Sequence, residues 1–410
     1  MPESASNPTP APLGFVLAVT FTLSIGTGAL THGLYFLAEA SCQFNRTNLF
    51  ALGVVFGAAY IPATRFAGPL VRLMERSSTI ISPRMLLIGI TLTGALLSLI
   101  PPVLALLRVQ SCWALWLLAA GYAAITGLLW PIVEWYISGG RTGRQLRSAV
   151  GQFNIAWTSA VVLAFWLIGP TLEARPLDAL VGVAGLHALA VLLILPMPTH
   201  PARHRPESHT SHHARRGLLV SARILLPTSY MLAGVLGPFF PVALTSMNIN
   251  LAWQTVLVSV WMTSRIPTML LLQRWHGWHG KVWPVALGGS MLAAGFIGCI
   301  IAPAVPNHAA GLAVMIVALT LFGSGMGVVY TAAIYYAMEF GHGQIDSNAT
   351  HESLVGLGYI LGPGVGLAIS LTISVDLLDE RYFLVTLILA TLVAAGGLAM
   401  LLLASEKTKQ

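Results

Sequence analysis

The feature that most limits what this chain can become is a succession of twelve apolar stretches, each near the roughly 20 residues a helix needs to cross a bilayer. They fall near residues 13–38, 48–71, 85–107, 112–137, 149–170, 177–196, 218–246, 250–273, 282–304, 309–337, 350–374 and 382–404. In hydrocarbon every backbone N–H and C=O must find a partner within the protein, so stretches of this kind are helices. Gly and Pro inside several of them are tolerated better there than in soluble helices. Only 9% of the 410 residues are charged, against about a quarter in soluble proteins. The expected class is an all-α polytopic membrane protein. Its net charge of +7 is therefore read by location and not as a nucleic-acid footprint. The opening "MPESASNPTPAP" has no Lys, Arg or small-residue cleavage site, so the first span is expected to serve as the insertion signal.

Most connections are short, which makes successive spans antiparallel neighbours. The exception is residues 197–217, "MPTHPARHRPESHTSHHARRG", a polar linker rich in Pro and His. It divides the chain into six-helix bundles at 13–196 and 218–404, with tails at 1–12 and 405–410. If the N-terminus lies inside, fourteen of the 21 Lys and Arg fall in inner loops and tails, and only Arg46, Arg108, Arg175 and Arg381 fall outside. Because Lys and Arg are retained on the cytoplasmic side, both termini are expected in the cytoplasm and the protein in the plasma (inner) membrane.

The two halves repeat each other. Arg65 in span 2 matches Arg265 in span 8, and "TGALLSLIPP" ending at Pro102 echoes "AGFIGCIIAP" ending at Pro303. "GLLWPIVEWY" from Gly127 echoes "GVVYTAAIYY" from Gly327, and "WLIGP" at Pro170 echoes "YILGPGVG" around Pro363. Four matches in the same order, each about 200 residues apart, indicate halves repeated in parallel, an arrangement found in transporters.

With these features the chain resembles the major facilitator superfamily over nearly its whole length, and "HESLVGLGYILGPGVG" (351–366) is similar to the Gly-rich helix 11 of the bacterial drug-exporter-like branch. "GPLVRLMER" (68–76) resembles the loop after helix 2, with Gly68 in place but Arg72 where that motif carries an acid. "EWYISGGR" sets Glu134 seven residues before Arg141, similar to the signature ending helix 4. The resemblance implies twelve helices in two pseudo-symmetric bundles and a secondary transporter working by alternating access. It also implies that helices 2 and 11, and helices 5 and 8, meet at the cytoplasmic closure.

The charges inside the spans are the candidates for mechanism. Arg65 and Arg265 lie roughly 10 and 13 Å inside the cytoplasmic boundary at 1.5 Å per residue. Each either snorkels to the interface or turns inward to a carboxylate, as intramembrane charges usually do. The acids at that depth are Glu134 and Glu352. On the inward reading Arg65 pairs with Glu352 across the halves, and Glu134 pairs with Arg141 or Arg65 within one half. Glu352 then takes a proton as the inner gate opens, tuned by His351; the alternative is that Glu352 only caps the start of its helix. The expected substrate-binding residues near mid-membrane are Asn154, Trp157, Trp130, Tyr230, Trp261 and Tyr330, with His32 and Tyr35 lining an outer vestibule. Their other reading is packing or interface anchoring. The mixture suits a modest-sized organic solute, and no cluster of buried positive charge points to an anion.

Cys42 and Cys112 both fall near the outer face, where one bridge is conceivable, but buried thiols are common apolar fillers and all three cysteines are expected free. The linker spacings "HPARH" and "HTSHH", with "HGWH" at 276–279, are used by membrane desaturases to hold two irons. Their Pro-broken, water-facing setting favours a flexible linker instead. The sequence has no phosphate loop, no Gly-x-Ser-x-Gly and no Cys pair at metal spacing, so neither an enzyme nor a cofactor is expected. The expected partners are a small-molecule substrate, the lipid bilayer and protons, with no nucleic acid, and the chain is expected to act as a monomer. A receptor that shares the architecture without moving solute is the remaining alternative.

Overall fold

The computed structural model of the chain describes residues 10–77, 81–109, 112–202, 213–341 and 345–372, together with 385, 388, 389, 391, 392 and 394–400. The first expected span is two helices, α1 (Leu13–Thr31) and α2 (Leu34–Cys42). It breaks at His32 and Gly33, where a side chain on Gly33 would strike Ile168 and the Ala29 carbonyl. The first half continues through α3 (Arg46–Ser77), α4 (Pro83–Leu106), α5 (Trp113–Ser138), α6 (Gly143–Ala174) and α7 (Asp178–Ile194). The start of α4 is fixed locally: Ser82 Oγ accepts from the Met85 N–H, and Pro83 supplies a preset first turn.

The second half holds α8 (His213–Ser246), α9 (Leu251–Val258), α10 (Val260–Arg274), α11 (Trp283–Ile301), α12 (His308–Gly341) and α13 (Ile345–Thr372). The helices α9 and α10 form one span interrupted at Ser259, whose hydroxyl accepts from Trp166 Nε1 (3.1 Å). Among the described residues ten spans are long and apolar enough to cross a membrane, and α7 is a shorter apolar helix. The last expected span, 382–404, is described only in part, and most of the two tails and linker residues 203–212 lie outside the described residues. Large apolar side chains such as Leu96, Leu106, Leu192 and Leu371 are exposed on the outer surface of the bundle. A water-soluble monomer rarely shows so much apolar surface, whereas a multi-pass membrane protein requires it.

The same pairings recur in the two halves. In the first, α3 packs on α5, α4 on α5 and α1 on α6; in the second, α10 packs on α12, α11 on α12 and α8 on α13. Across the halves, α3 lies along α13, and α6 lies along α9 and α10. The Gly-rich run in α13 explains how one helix fits between two neighbours. A side chain at Gly362 would hit the Met231 carbonyl on α8, while one at Gly57 on α3 would hit the α13 backbone at Tyr359 and Ile360. Small residues at such places let membrane helices approach closely.

Gly127 and Gly327, matched in the sequence repeat, do the same work in each half. A Cβ on Gly127 would sit 3.2 Å from the Thr64 nitrogen, and one on Gly327 would sit 3.5 Å from the Arg265 Cα. The inward position is thus Thr64 on α3 but Arg265 on α10. A shift of one residue turns a side chain about 100° round a helix. Arg65 accordingly faces outward and is exposed, while Arg265 is fully buried.

One expectation is corrected where α2 ends and α5 begins. Cys42 at the end of α2 and Cys112 just before α5 are joined in a disulfide. Their separation of 70 residues conceals that the two helix ends lie side by side. Cys299 is free and buried, as expected.

Candidate functional site

A small cavity, with about 70 Å³ open to water-sized groups, sits between the halves. It is lined from α1 by Ser24, Thr27, Gly28, Thr31 and the adjoining His32, from α3 by Tyr60, and from α5 by Thr126, Trp130 and Glu134. Helix α6 adds Phe153, Trp157 and Val161, α8 and α12 add Tyr230 and Tyr330, and α13 adds Glu352, Val355 and Tyr359. An aromatic chain runs through it. Tyr60 meets Tyr359 edge-on at 5.8 Å between centroids, Tyr359 meets Tyr230 at 5.4 Å, and Tyr330 meets Trp157 at 5.5 Å.

One wall, made by α3, α5 and α13, is acidic. Glu134 and Glu352 are both buried and both line the cavity. The Tyr60 hydroxyl donates to Glu352 Oε2. The Arg65–Glu352 pairing expected from sequence does not form, because Arg65 is exposed while Glu352 is buried. Beside it, the Thr64 and Ser353 hydroxyls join α3 to α13 at 2.9 Å. His351, one residue before Glu352, points elsewhere and meets the Tyr330 ring edge-on at 5.4 Å.

Behind the facing wall, where Trp157 of α6 and Tyr330 of α12 line the cavity, lies the Arg265 side chain of α10. The Arg265 guanidinium carbon lies 4.7 Å from the Trp157 ring centroid, 5.2 Å from Tyr330 and 5.7 Å from Trp261. Among the described residues it touches no carboxylate, which corrects the expectation of an acidic partner. Cation–π contacts take that role in part; each is worth about 0.5–2 kcal/mol depending on desolvation. His32 packs edge-on against Trp261 at 5.3 Å and Tyr35 lies against Gly237. Of the two, His32 lines the central cavity, while Tyr35 is buried outside its lining.

Arg141 has a different task from the one expected. Its guanidinium donates to the carbonyls of Ile137 (2.7 Å) and Tyr136 (3.1 Å) and to that of Ala11. It caps the C-terminus of α5 and ties down the chain before α1. A cation is favourable at that end of a helix dipole.

The charge pair that joins the halves on the inner side went unrecognised in the sequence. Arg72 Nη1, near the end of α3, bonds both carboxylate oxygens of Asp346 in the first turn of α13, at 2.8 and 3.0 Å. Gly68 makes room for it, since any side chain there would strike the Asp346 carboxylate. Arg72 stands where the resembled motif has an acid, and the acid comes from α13 instead. The signal was available: a lone Asp at a helix start, opposite the one basic residue that broke the motif. Tyr60 and Tyr359 were also overlooked, although Tyr359 sits seven residues after Glu352, on the same helix face.

Between α6, α10 and α12 a second, wider cavity reaches inward to Asn154, and Arg144, Arg147 and Arg274 line it. Asn154 accepts from Trp157 Nε1 (3.3 Å), so this vestibule ends at the wall of the Arg265 cage.

Comparison with solved structures places this geometry. The crystal structure of a mutant of the nucleoside transporter NupG is 14% identical, with a TM-score of 0.67 over 95% of this chain and 99% of that one. The crystal structure of NupG itself is 13% identical, with a TM-score of 0.65 over 95% and 98%. The fold is the major facilitator fold. No family model matches the chain, and no curated protein matches it in sequence. Within that fold, α3 and α13 are helices 2 and 11, and the cavity lies between the two bundles. Among the described residues no three His, Cys, Asp or Glu side chains gather as a metal site. The linker histidines 204, 209 and 212 lie outside the described residues.

Proposed function

We propose that this protein is a secondary active transporter that moves a small organic solute by alternating access, using the Glu134–Glu352 pair to couple transport to protons. One observation carries the proposal: two buried carboxyls from opposite halves line one cavity, together with the rings of Trp157, Tyr230 and Tyr330. Rocking the halves apart separates the carboxyls, and each then has to be matched to a new environment. A charged carboxylate left alone there is costly, so protonation and opening are linked. The bundles divide at 13–196 and 218–404, both termini are cytoplasmic, and the monomer in the plasma (inner) membrane is the working unit. The Lys and Arg bias supports that orientation.

The cargo has a planar part that stacks among Tyr230, Tyr330, Tyr359 and Trp157. The nucleoside carried by NupG is a solute of that kind. The drug-exporter-like branch is supported only by the Gly-rich run of α13, which has a packing explanation of its own. A non-transporting receptor is the second reading.

The test is solute-evoked proton movement in proteoliposomes loaded with a pH-sensitive dye, screened with small carboxylates, nucleosides and amines. Proton flux with at least one solute, lost in Glu352→Gln, is the expected result. Solute counterflow without proton flux would make the protein a facilitator, and neither signal would leave a receptor.

A further inference from the structure

The polar atoms of Arg265 carry information about the cargo that the aromatic lining does not. Its Nη1 is turned to Met262 Sδ (3.7 Å), but Nε and Nη2 are buried with no hydrogen-bond acceptor. Those two N–H groups lie along one edge of the guanidinium, the fork that grips both oxygens of a carboxylate or phosphate at once. An unpaired cation deep in a bundle is costly, and rings stacked on its faces cannot satisfy donors that point along its plane. Trp157 and Tyr330 line the central cavity on one side and contact the guanidinium, so the buried edge lies one ring's depth behind the cavity wall.

The approach to this edge points the same way. The inner vestibule is lined by Arg144 and Arg147 on α6 and Arg274 on α10, and among the described residues no carboxylate lines it. A single-signed passage of this kind concentrates ligands of the opposite charge. It ends at Asn154, which holds Trp157 against the guanidinium.

We infer that the cargo bears an oxyanion, a carboxylate or a phosphate ester, and that the Nε–Nη2 edge of Arg265 is its anchor. The inference rests on the transport reading and names its substrate class. The rings around the guanidinium hold its plane, so the fork is preorganised and the planar body of the solute is received alongside.

The test is equilibrium binding to purified wild-type protein, read by thermal shift and by fluorescence of the tryptophans beside Arg265. The probes are shape-matched pairs differing in charge: nicotinate with nicotinamide, benzoate with benzamide, and phenyl phosphate with phenol. The expected result is that an anionic member stabilises the protein and its neutral mate does not. The carboxylate and phosphate arms tell which oxyanion fits. Arg265→Gln should weaken binding at least about thirtyfold, the low end for truncating one partner of a buried charge pair. Arg265→Lys, which keeps the charge but lacks the fork, should recover only part of the affinity. Equal binding of neutral and anionic mates, undiminished binding by a correctly folded Arg265→Gln, or no shift with any anion at about 100 mM, near the weak limit of specific binding, would overturn the inference. Binding is measured without transport. Failure here therefore leaves proton-coupled transport standing, and a protein that binds anions without moving them fails only the transport reading.

Discussion

The two walls of the central cavity come from equivalent helices and differ in chemistry. Helices α3, α5 and α13 on one side correspond in the repeat to α10, α12 and α6 on the other. The first wall presents Tyr60, Glu134 and Glu352; the second presents Trp157 and Tyr330, with Arg265 buried behind them. The repeat sets Glu134, seven residues after Gly127, against Ile334, seven after Gly327. Two copies of one scaffold thus carry different groups: buried carboxyls on one side, and on the other a buried cation with free donors.

The comparison can be broken at several points. The largest expected effect is on the acidic wall: Glu352→Gln should abolish proton-driven accumulation but preserve solute exchange at equilibrium, measured by uptake against counterflow in proteoliposomes. Loss of both would mean that the acid shapes the site and does not couple it. Next comes the brace that only the acidic wall has among the described residues, the bond between α2 and α5. A Cys42→Ser, Cys112→Ser double variant should lose about 2–4 kcal/mol of stability, read as a lower melting temperature with anion selectivity intact. A smaller effect belongs to the facing wall. Trp157→Leu removes one ring face from Arg265 and should weaken oxyanion binding by about 0.5–2 kcal/mol, seen in the same titrations, with the proton signal unaffected. Smallest is the inner pair. Arg72→Gln should cost only about 0.2–1 kcal/mol because its ion pair with Asp346 is exposed. Its effect should fade as salt rises, and a charge-reversed pair, Arg72→Asp with Asp346→Arg, should restore it.

Much of this architecture was legible in the sequence, and the reasons differ by level. Span number and the repeat follow from apolar length and spacing, which depend on the bilayer and not on tertiary detail. Glu134 and Glu352 stand out in the sequence as acids within apolar stretches. Which partners those acids take was not legible, because that is decided by the rotation of each helix. Arg65 and Thr64 are adjacent in sequence, yet only Thr64 faces α13. The pairing of Cys42 with Cys112 depends likewise on the neighbouring ends of α2 and α5, which no local pattern encodes. Arg141 was read through a motif, and its real partners are backbone carbonyls, which sequence cannot display.

The Cys42–Cys112 bond has a consequence for topology. Such bonds persist in oxidising spaces and are kept open by the thiol buffers of the cytosol. The mouth that carries it is the one opposite the arginine-rich loops, so sulfur chemistry and the distribution of basic residues cast independent votes for the same orientation. A redox label that discriminates periplasm from cytosol would read the polarity of the whole molecule from that one covalent link.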